Sequence, residues 1–127
     1  MAPCQNAGMD HANRQAVEAL YREAVVLGDR ARAWFDGPGA GWRAGLPVDA
    51  QAQVATESLA VTSRLMAAMA WLLDPVHAAD GLPLPPFAAE SADIAPPASL
   101  AGTPGGDIIV ASRRLCARIA ALTGDFA

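Results

Sequence analysis

The sequence predicts an all-α protein, a three-helix bundle in which two long antiparallel helices and a proline-rich connector precede a shorter third helix. Apolar residues repeat at three- and four-residue steps over residues 10–35, 49–74 and 107–123, as on the buried side of a helix. Glycine or proline follows each stretch, and no stretch alternates like a β-strand. The 127 residues suffice for one domain around one core.

The first predicted helix covers residues 10–35, after a frayed N-terminus at residues 1–9. Asp10 or Asn13 can cap its start. The glycine-rich segment 37–45 ends it and is interpreted as a loop, because glycine and proline both interrupt a helix. The apolar stripe consists of Val17, Leu20, Tyr21, Ala24, Leu27, Ala31, Trp34 and Phe35.

The second predicted helix runs from Asp49, a candidate N-cap, to Asp74, where Pro75 stops it. At 1.5 Å per residue it is about 39 Å long, close to the length of the first helix. A short connection between two helices of equal length predicts an antiparallel hairpin.

The connector, residues 75–106, has seven prolines and is expected to be extended and mobile, because proline lacks the N–H that regular structure needs. The third helix, 107–123, has Asp107 as its expected cap and Gly124 as its stop. Expected connector anchors are Leu82, Leu84, Phe87 and Ile94, and the third helix has a stripe of Ile108, Ser112, Leu115, Ile119 and Leu122, flanked by Ile109 and Cys116.

Steps of 100° per residue divide the second helix into two arcs. Ser58 and Thr62 lie on the apolar arc, where their hydroxyls can bond to a carbonyl one turn earlier. Glu57, Arg64 and Trp71 recur every seven residues on the polar arc and are candidates for partner binding, with packing under the connector as the alternative. The apolar arc holds Val54, Ser58, Leu59, Val61, Thr62, Leu65, Met66, Ala68, Met69, Leu72 and Leu73; the polar arc holds Gln53, Thr56, Glu57, Ala60, Ser63, Arg64, Ala67, Trp71 and Asp74.

The wide apolar arc also predicts self-association. A third helix as short as 107–123 cannot cover two long helices along their whole length. An uncovered apolar strip is most simply buried against a second copy, so the chain is expected to form a symmetric homodimer.

The charge balance disfavours nucleic acid as a partner. The net charge is −4, with nine arginines and no lysine, whereas nucleic-acid binders need a basic patch. The cluster of Arg113, Arg114 and Arg118 is interpreted as a solvated side of a helix or as a complement to its C-terminal dipole.

Composition also limits location and chemistry. No window has 18 uncharged apolar residues, and the N-terminal segment has no signal-peptide core, so no membrane segment and a cytoplasmic location are expected. Cys116 is expected to be a buried free thiol, far in sequence from Cys4. His11 and His77 share no ligand spacing with the cysteines, so no metal and no cofactor is expected.

One motif in the second helix is more specific than its periodicity. An ESL-x-x-T-x-RLM core is followed by AWLL, within ATESLAVTSRLMAAMAWLL at 55–73, and it comes after an aromatic-Asp-Gly turn in YREAVVLGDRARAWFDGPG at 21–39. These segments resemble the RcdA family, small helical proteins of alphaproteobacteria named for the regulation of CtrA degradation. The resemblance covers about residues 17–74.

This resemblance implies a dimeric three-helix bundle that acts as an adaptor without catalytic activity. Such proteins help to deliver a response-regulator transcription factor to the ClpXP protease during the cell cycle, so ClpX and a response regulator become expected partners. The chain departs from the family at Ala60, where arginine is usual, and at Pro75, which ends the helix early. The family-motif positions carried over are Glu57, Ser58, Thr62 and Arg64.

Two other functions stay open. One is a structural dimer domain of unknown role whose connector binds a partner. The other is an enzyme or small-ligand binder, which needs convergent titratable groups in a pocket. The sequence has no nucleophile–base spacing, so no catalytic residue is assigned and the expected function is a non-enzymatic adaptor.

Overall fold

The computed structural model describes residues 3–74, 87 and 95–123, with side chains from residue 14 onward. All regular structure in these ranges is helical, so the all-α prediction is confirmed. The described residues form four α-helices where three were predicted. They are α1 (Pro3–Asp36), α2 (Pro38–Ala44), α3 (Val48–Leu72) and α4 (Pro104–Leu122), with a 3₁₀ turn at Ala98–Leu100.

The helix α1 begins earlier than predicted and buries the predicted stripe. It starts at Pro3, so residues 3–9 belong to the helix, and Asp10 and Asn13 lie inside it and do not cap its start. Apolar residues at three- and four-residue steps put one side of α1 into the core, and full burial of each large one contributes about 1.5–3 kcal/mol. The buried members are Val17, Leu20, Ala24, Leu27, Ala31 and Phe35, while Tyr21 and Trp34 pack against them half-buried.

The segment 37–45 was predicted to be a loop, and this is wrong because most of it forms α2. Pro38 occupies the first helical position, where its missing N–H breaks no hydrogen bond. Trp42 packs against Trp34 with ring centroids 5.6 Å apart. A Cβ on Gly39 would come within 2.7 Å of the Trp34 ring, so the glycine allows α2 to approach α1 this closely.

The helix α3 lacks the side-chain cap that was predicted for it. Pro47 occupies the cap position and makes no side-chain hydrogen bond. Asp49, the predicted cap, lies in the first turn, where its negative charge faces the positive end of the helix dipole. The helix ends at Leu72, before the predicted end at Asp74.

The end of the connector is ordered, contrary to the expectation of a loose segment up to residue 106. Leu100 is fully buried, and the Ser99 hydroxyl donates to the side-chain oxygen of Gln53 on α3 at 2.5 Å. Phe87 packs against the core as expected of an anchor. The other expected anchors, Leu82, Leu84 and Ile94, lie outside the described residues.

The helix α4 begins at Pro104, earlier than predicted, because Thr103 caps it. The Thr103 hydroxyl accepts a hydrogen bond from the Gly106 N–H at 3.1 Å, so the prediction of Asp107 as the cap is wrong. The predicted stripe is confirmed, and Cys116 is a buried free thiol, as expected. The buried members of the stripe are Ile108, Ile109, Ser112, Leu115, Cys116 and Ile119, while Leu122 is half-buried.

The helices α3 and α4 run parallel to each other. Gln53, near the start of α3, contacts Ser99 just before α4, and Arg64 further along α3 contacts Ser112 further along α4. Two consecutive long helices can be parallel only if the chain between them returns along their length. The long connector between α3 and α4 therefore has a topological role.

The helix α1 runs antiparallel to α4. Trp34, near the end of α1, lies against Gly105 at the start of α4, where an added Cβ would be 2.4 Å from the Trp34 ring. Glu23, further back on α1, reaches Arg118 near the end of α4. The three long helices thus contact one another in pairs. In the described residues no helix has the length and hydropathy needed to cross a membrane.

Candidate functional site

The buried side of α3 differs from the predicted apolar arc. Arg64 and Trp71, assigned to the polar arc, are only 7% and 8% exposed. Leu59, Met66 and Leu73, assigned to the apolar arc, are 70%, 63% and 62% exposed. The apolar residues of α3 are divided between a side that contacts α1 and α4 and a side that faces solvent, and spacing alone does not tell which is the core.

Arg64 is part of a buried polar pair between α3 and α4. Its Nη1 donates to the Ser112 hydroxyl at 3.0 Å, and this hydroxyl in turn donates to the Ile109 carbonyl at 2.8 Å. Ser112 is fully buried. A buried charge is tolerated only with hydrogen-bonding partners, so this pair fixes how the two parallel helices align.

Glu57 lies at the contact between α3, α4 and the end of the connector. Its Oε1 is 3.8 Å from Nη2 of Arg113, and this oxygen makes no hydrogen bond to the described part of the chain. Arg113 also donates through Nη1 to the carbonyl of Ala95, at 2.5 Å. The two charged residues therefore join the connector to both helices.

Trp71, further along α3, makes a separate contact with the connector. Its ring packs edge-to-face against Phe87 of the connector, with centroids 5.9 Å apart. All three candidates for partner binding, Glu57, Arg64 and Trp71, therefore contact other parts of their own chain. The alternative, packing under the connector, describes Trp71 on Phe87, whereas Arg64 donates to Ser112 on α4. Direct partner binding by them stays a prediction, since a partner would have to displace part of this packing.

Ser58 and Thr62 lie beside the groove between α1 and α3. The Thr62 hydroxyl donates to the Ser58 carbonyl at 3.2 Å, which confirms the expected bond to the preceding turn. Both residues border a groove of about 420 Å³ together with Val25, Met66 and Met69. Small side chains at these positions leave the groove open.

Exposed apolar side chains line this groove and lie at seven-residue steps along the same side of α3, and together they form an apolar surface. We name it the apolar flank and define it by Val25 on α1, by Leu59, Met66 and Met69 on α3, and by Leu73 directly after the end of α3. Apart from Met69, which is half-buried, these side chains are exposed. Contiguous exposed apolar surface of this kind commonly marks an interaction site.

The opposite side of α1 forms a second, charged groove with α4. We name it the arginine groove; it encloses about 860 Å³. Its charged rim consists of Arg22, Glu23, Arg30, Asp107, Arg114 and Arg118, and its apolar floor consists of Val26, Leu27, Val110 and Ala111.

One ion pair crosses the arginine groove. Arg118 donates through Nη1 and Nη2 to the two carboxylate oxygens of Glu23, at 2.7 and 2.8 Å. The hydrogen bond from Arg118 lowers the pKa of Glu23, although partial desolvation acts in the other direction. The same hydrogen bond raises the pKa of Arg118. The pair fastens α1 to α4 at one end of the groove.

The sequence did not reveal this groove. Arg113, Arg114 and Arg118 were interpreted as one cluster, either a solvated side of the helix or a complement to its C-terminal dipole. The structure separates them, and no basic residue lies in the last turn of α4. Arg113 faces α3 and the connector, whereas Arg114 and Arg118 face α1. The available signal was a spacing of four residues between Arg114 and Arg118, which puts both on one side of a helix.

The described side chains include no group of three or more histidine, cysteine, aspartate or glutamate residues that could hold a metal ion. The side chains of His11 and His77 lie outside the described set.

The chain matches a family model. The model of a family described as a protein of unknown function, DUF1465, matches residues 8–81, which is more than half of the chain. No curated protein and no protein of solved structure matches the sequence.

Proposed function

This chain belongs to the DUF1465 family, and we propose that it is a non-enzymatic adaptor that binds other proteins. The observation that carries the proposal is the apolar flank. Leu59 and Met66 on α3 and Leu73 directly after its end are large apolar side chains left exposed at seven-residue intervals. A regular apolar stripe on the outside of a helix is typical of a surface that packs against another helix.

The first partner is a second copy of the chain. In each copy α1, α3 and α4 form a three-helix bundle, with α2 as an accessory helix. Met66 lies midway between Leu59 and Leu73, so antiparallel α3 helices can cross at Met66 on a twofold axis. Leu59 of each copy then faces Leu73 of the other, which satisfies the self-complementarity of a symmetric dimer.

The further role is delivery of a response-regulator transcription factor to ClpXP in the cytoplasm. Its support is the resemblance of the TESLAVTSRLM region, residues 56–66, to the RcdA family. The departures at Ala60 and Pro75 change the charge near this region, so the regulator recognised by this chain can differ from that of the family.

Light scattering on a matched pair of variants tests the dimer. Met66→Asp puts a charge in the centre of the apolar flank, whereas Ala67→Asp puts the same charge on an exposed neighbour outside it. We expect dimers from the wild type and from Ala67→Asp, and monomers of unchanged helix content from Met66→Asp. A monomeric wild type, or dimers from both variants, would refute the dimer.

Capture followed by reconstitution tests delivery. The wild-type chain is used to capture proteins from its native cytoplasm, beside a Glu57→Ala/Arg64→Ala/Trp71→Ala variant whose folding is checked first. Captured response regulators are then incubated with purified ClpXP, with and without the chain. Faster degradation in the presence of the wild type supports delivery, and an unchanged rate contradicts it.

A second candidate function is a structural dimer domain whose connector binds the partner. The observation in its favour is that the connector is fastened on both sides of residues 88–94, by Phe87 on Trp71 and by Ala95 on Arg113. Replacing 88–94 with glycine and serine leaves these anchors in place. Loss of captured partners from this variant, with the dimer retained, would favour the connector over the adaptor surface.

A further inference from the structure

The arginine groove concentrates positive charge in an acidic protein. It holds four of the nine arginines and two acidic residues, a formal charge of 4 − 2 = +2, while the whole chain carries −4. Arg22 and Arg30 come from α1, and Arg114 and Arg118 come from α4. The members of each pair lie eight or four residues apart on their helix, and all four arginines line the same groove.

Three of these arginines are not used by the fold. Arg118 is bonded to Glu23, but Arg22, Arg30 and Arg114 make no ion pair or hydrogen bond with any described residue. Structural arginines in this protein look different. Arg64 is buried on Ser112, and Arg113 bonds to the connector. The free cations of the groove are therefore available to an anionic ligand.

The apolar floor of the groove indicates that a ligand must match apolar surface as well as positive charge. Val26 is 56% exposed, and Val110 and Ala111 beside it are half-buried. A simple anion would not cover this apolar surface, which would stay in contact with water. The described residues of the groove also include no aromatic side chain on which a nucleic-acid base could stack. A fitting ligand must offer apolar groups to the floor and carboxylates to the rim.

We propose that the arginine groove binds an acidic amphipathic segment of a partner protein. Apolar side chains of the segment lie on Val26 and Val110, and its aspartates or glutamates reach Arg22, Arg30 and Arg114. Residues 19–30 of α1 line the groove over about 16 Å, which matches three turns of a docked helix. The inference goes beyond the proposed function, because such a segment can bind whether or not the chain delivers a substrate to a protease.

Charge complementarity decides for this occupant over a second copy of the chain. Two arginine grooves facing each other would bring together six arginines without an ion pair and only two further carboxylates, those of Asp107, and like charges across an interface oppose binding. The apolar flank has no such conflict, so dimer formation and segment binding use opposite sides of α1.

Fluorescence anisotropy with three synthetic peptides tests the proposal. The probe is a labelled helical peptide with leucine at three- and four-residue steps and glutamate on both sides of that stripe. The first control peptide has the same composition in scrambled order, and the second has lysine in place of every glutamate. We expect the probe to bind in preference to both controls, and to bind more weakly as salt screens the arginines.

Matched double variants locate the binding site. Arg22→Gln/Arg30→Gln removes two charges from the groove, and Arg14→Gln/Arg43→Gln removes two charges from residues that line neither this groove nor the one between α1 and α3. We expect the groove variant to bind the probe about fivefold more weakly and the control variant to bind it like the wild type. Light scattering should give dimers for both, which separates failure of this inference from failure of the proposed dimer.

Three results would overturn the inference. They are equal loss of binding in the two variants, equal binding of the probe and its scrambled control, and no probe binding even at millimolar concentration. A labelled single-stranded oligonucleotide is measured in parallel. If it binds more tightly than the probe and loses affinity in the groove variant, the groove is a nucleic-acid site and the inference is wrong.

Discussion

The two sides of α1 differ in chemistry although they are built from neighbouring residues. Val25 belongs to the apolar flank and Val26 to the floor of the arginine groove. On the first side α3 contributes methionine and small hydroxylated residues, and on the second side α4 contributes arginines. The five residues of the apolar flank carry no charge, although Asp29, Arg32 and Asp36 line the groove beside them, and an uncharged patch is compatible with a copy of itself. A cationic surface selects an unlike partner. One helix can therefore separate self-association from recognition of another protein.

The arginine groove exists only while α4 packs against α1. The largest loss of stability is therefore expected from a substitution in the core of α4. Ile109→Ala removes a fully buried side chain and should destabilise the protein by about 2–5 kcal/mol, because it leaves a cavity. Val110→Ala, next to it on the groove side, should cost about 1 kcal/mol or less. Urea unfolding followed by circular dichroism measures both, and equal losses would contradict the assignment of the buried side of α4.

A smaller loss is expected from the polar pair that aligns α3 with α4. Arg64→Ala removes the hydrogen bond to Ser112 and should cost about 2 kcal/mol, because a charged donor is lost from a buried site. Thr62→Ala, on the exposed side of the same helix, should be almost neutral. If Arg64→Ala leaves the urea midpoint unchanged but abolishes partner capture, Arg64 is a contact residue and the structural interpretation fails.

The neighbouring valines test the two sides of α1 directly. Val25→Asp should weaken the dimer about tenfold and leave probe binding intact, because a charge is placed in an apolar interface. Val26→Asp should do the reverse, because a carboxylate on the groove floor repels an acidic ligand. Sedimentation and anisotropy on the same two samples measure both quantities. If both variants change the same property, the apolar flank and the arginine groove are not separate binding surfaces.

The smallest effect concerns the ion pair at the edge of the arginine groove. Arg118 lowers the pKa of Glu23 in the folded state, so the pair stabilises the protein above the ordinary carboxyl pKa of 4.5 and less as the pH falls through the folded-state value. Both side chains are about half exposed, so Glu23→Gln should cost only a few tenths of a kcal/mol near neutral pH. Urea midpoints measured across the acid range should converge for wild type and variant, and a constant difference would contradict the pair.

The helix periodicity of α1 and α4 could be read from sequence because each has one apolar side. Val17 to Phe35 and Ile108 to Ile119 repeat at regular steps, and both stripes are buried. In α3 the same method failed, because Leu59, Met66 and Leu73 form a second apolar side that periodicity cannot distinguish from the core.

Local signals were misleading where a distant residue decides the structure. The glycines of the 37–45 segment suggested a loop, but α2 forms there. Gly39 has no Cβ and so allows α2 to lie close to the Trp34 ring. Asp107 is of a residue type that often caps helices, but here the Thr103 hydroxyl accepts the hydrogen bond from the Gly106 N–H and caps α4. The arginine groove could not be predicted for the same reason. Its residues come from two helices far apart in sequence, and only the packing of these helices brings them together.

The parallel arrangement of α3 and α4 has a consequence for folding. The helices α1 and α3 are close in sequence and can pair early, whereas α4 joins them only after closure of the loop from residue 73 to 103, at an entropic cost of about 3 kcal/mol. The ribosome releases the chain in the same order. All residues of the apolar flank are therefore synthesised before α4, whereas the arginine groove exists only once α4 has packed against α1.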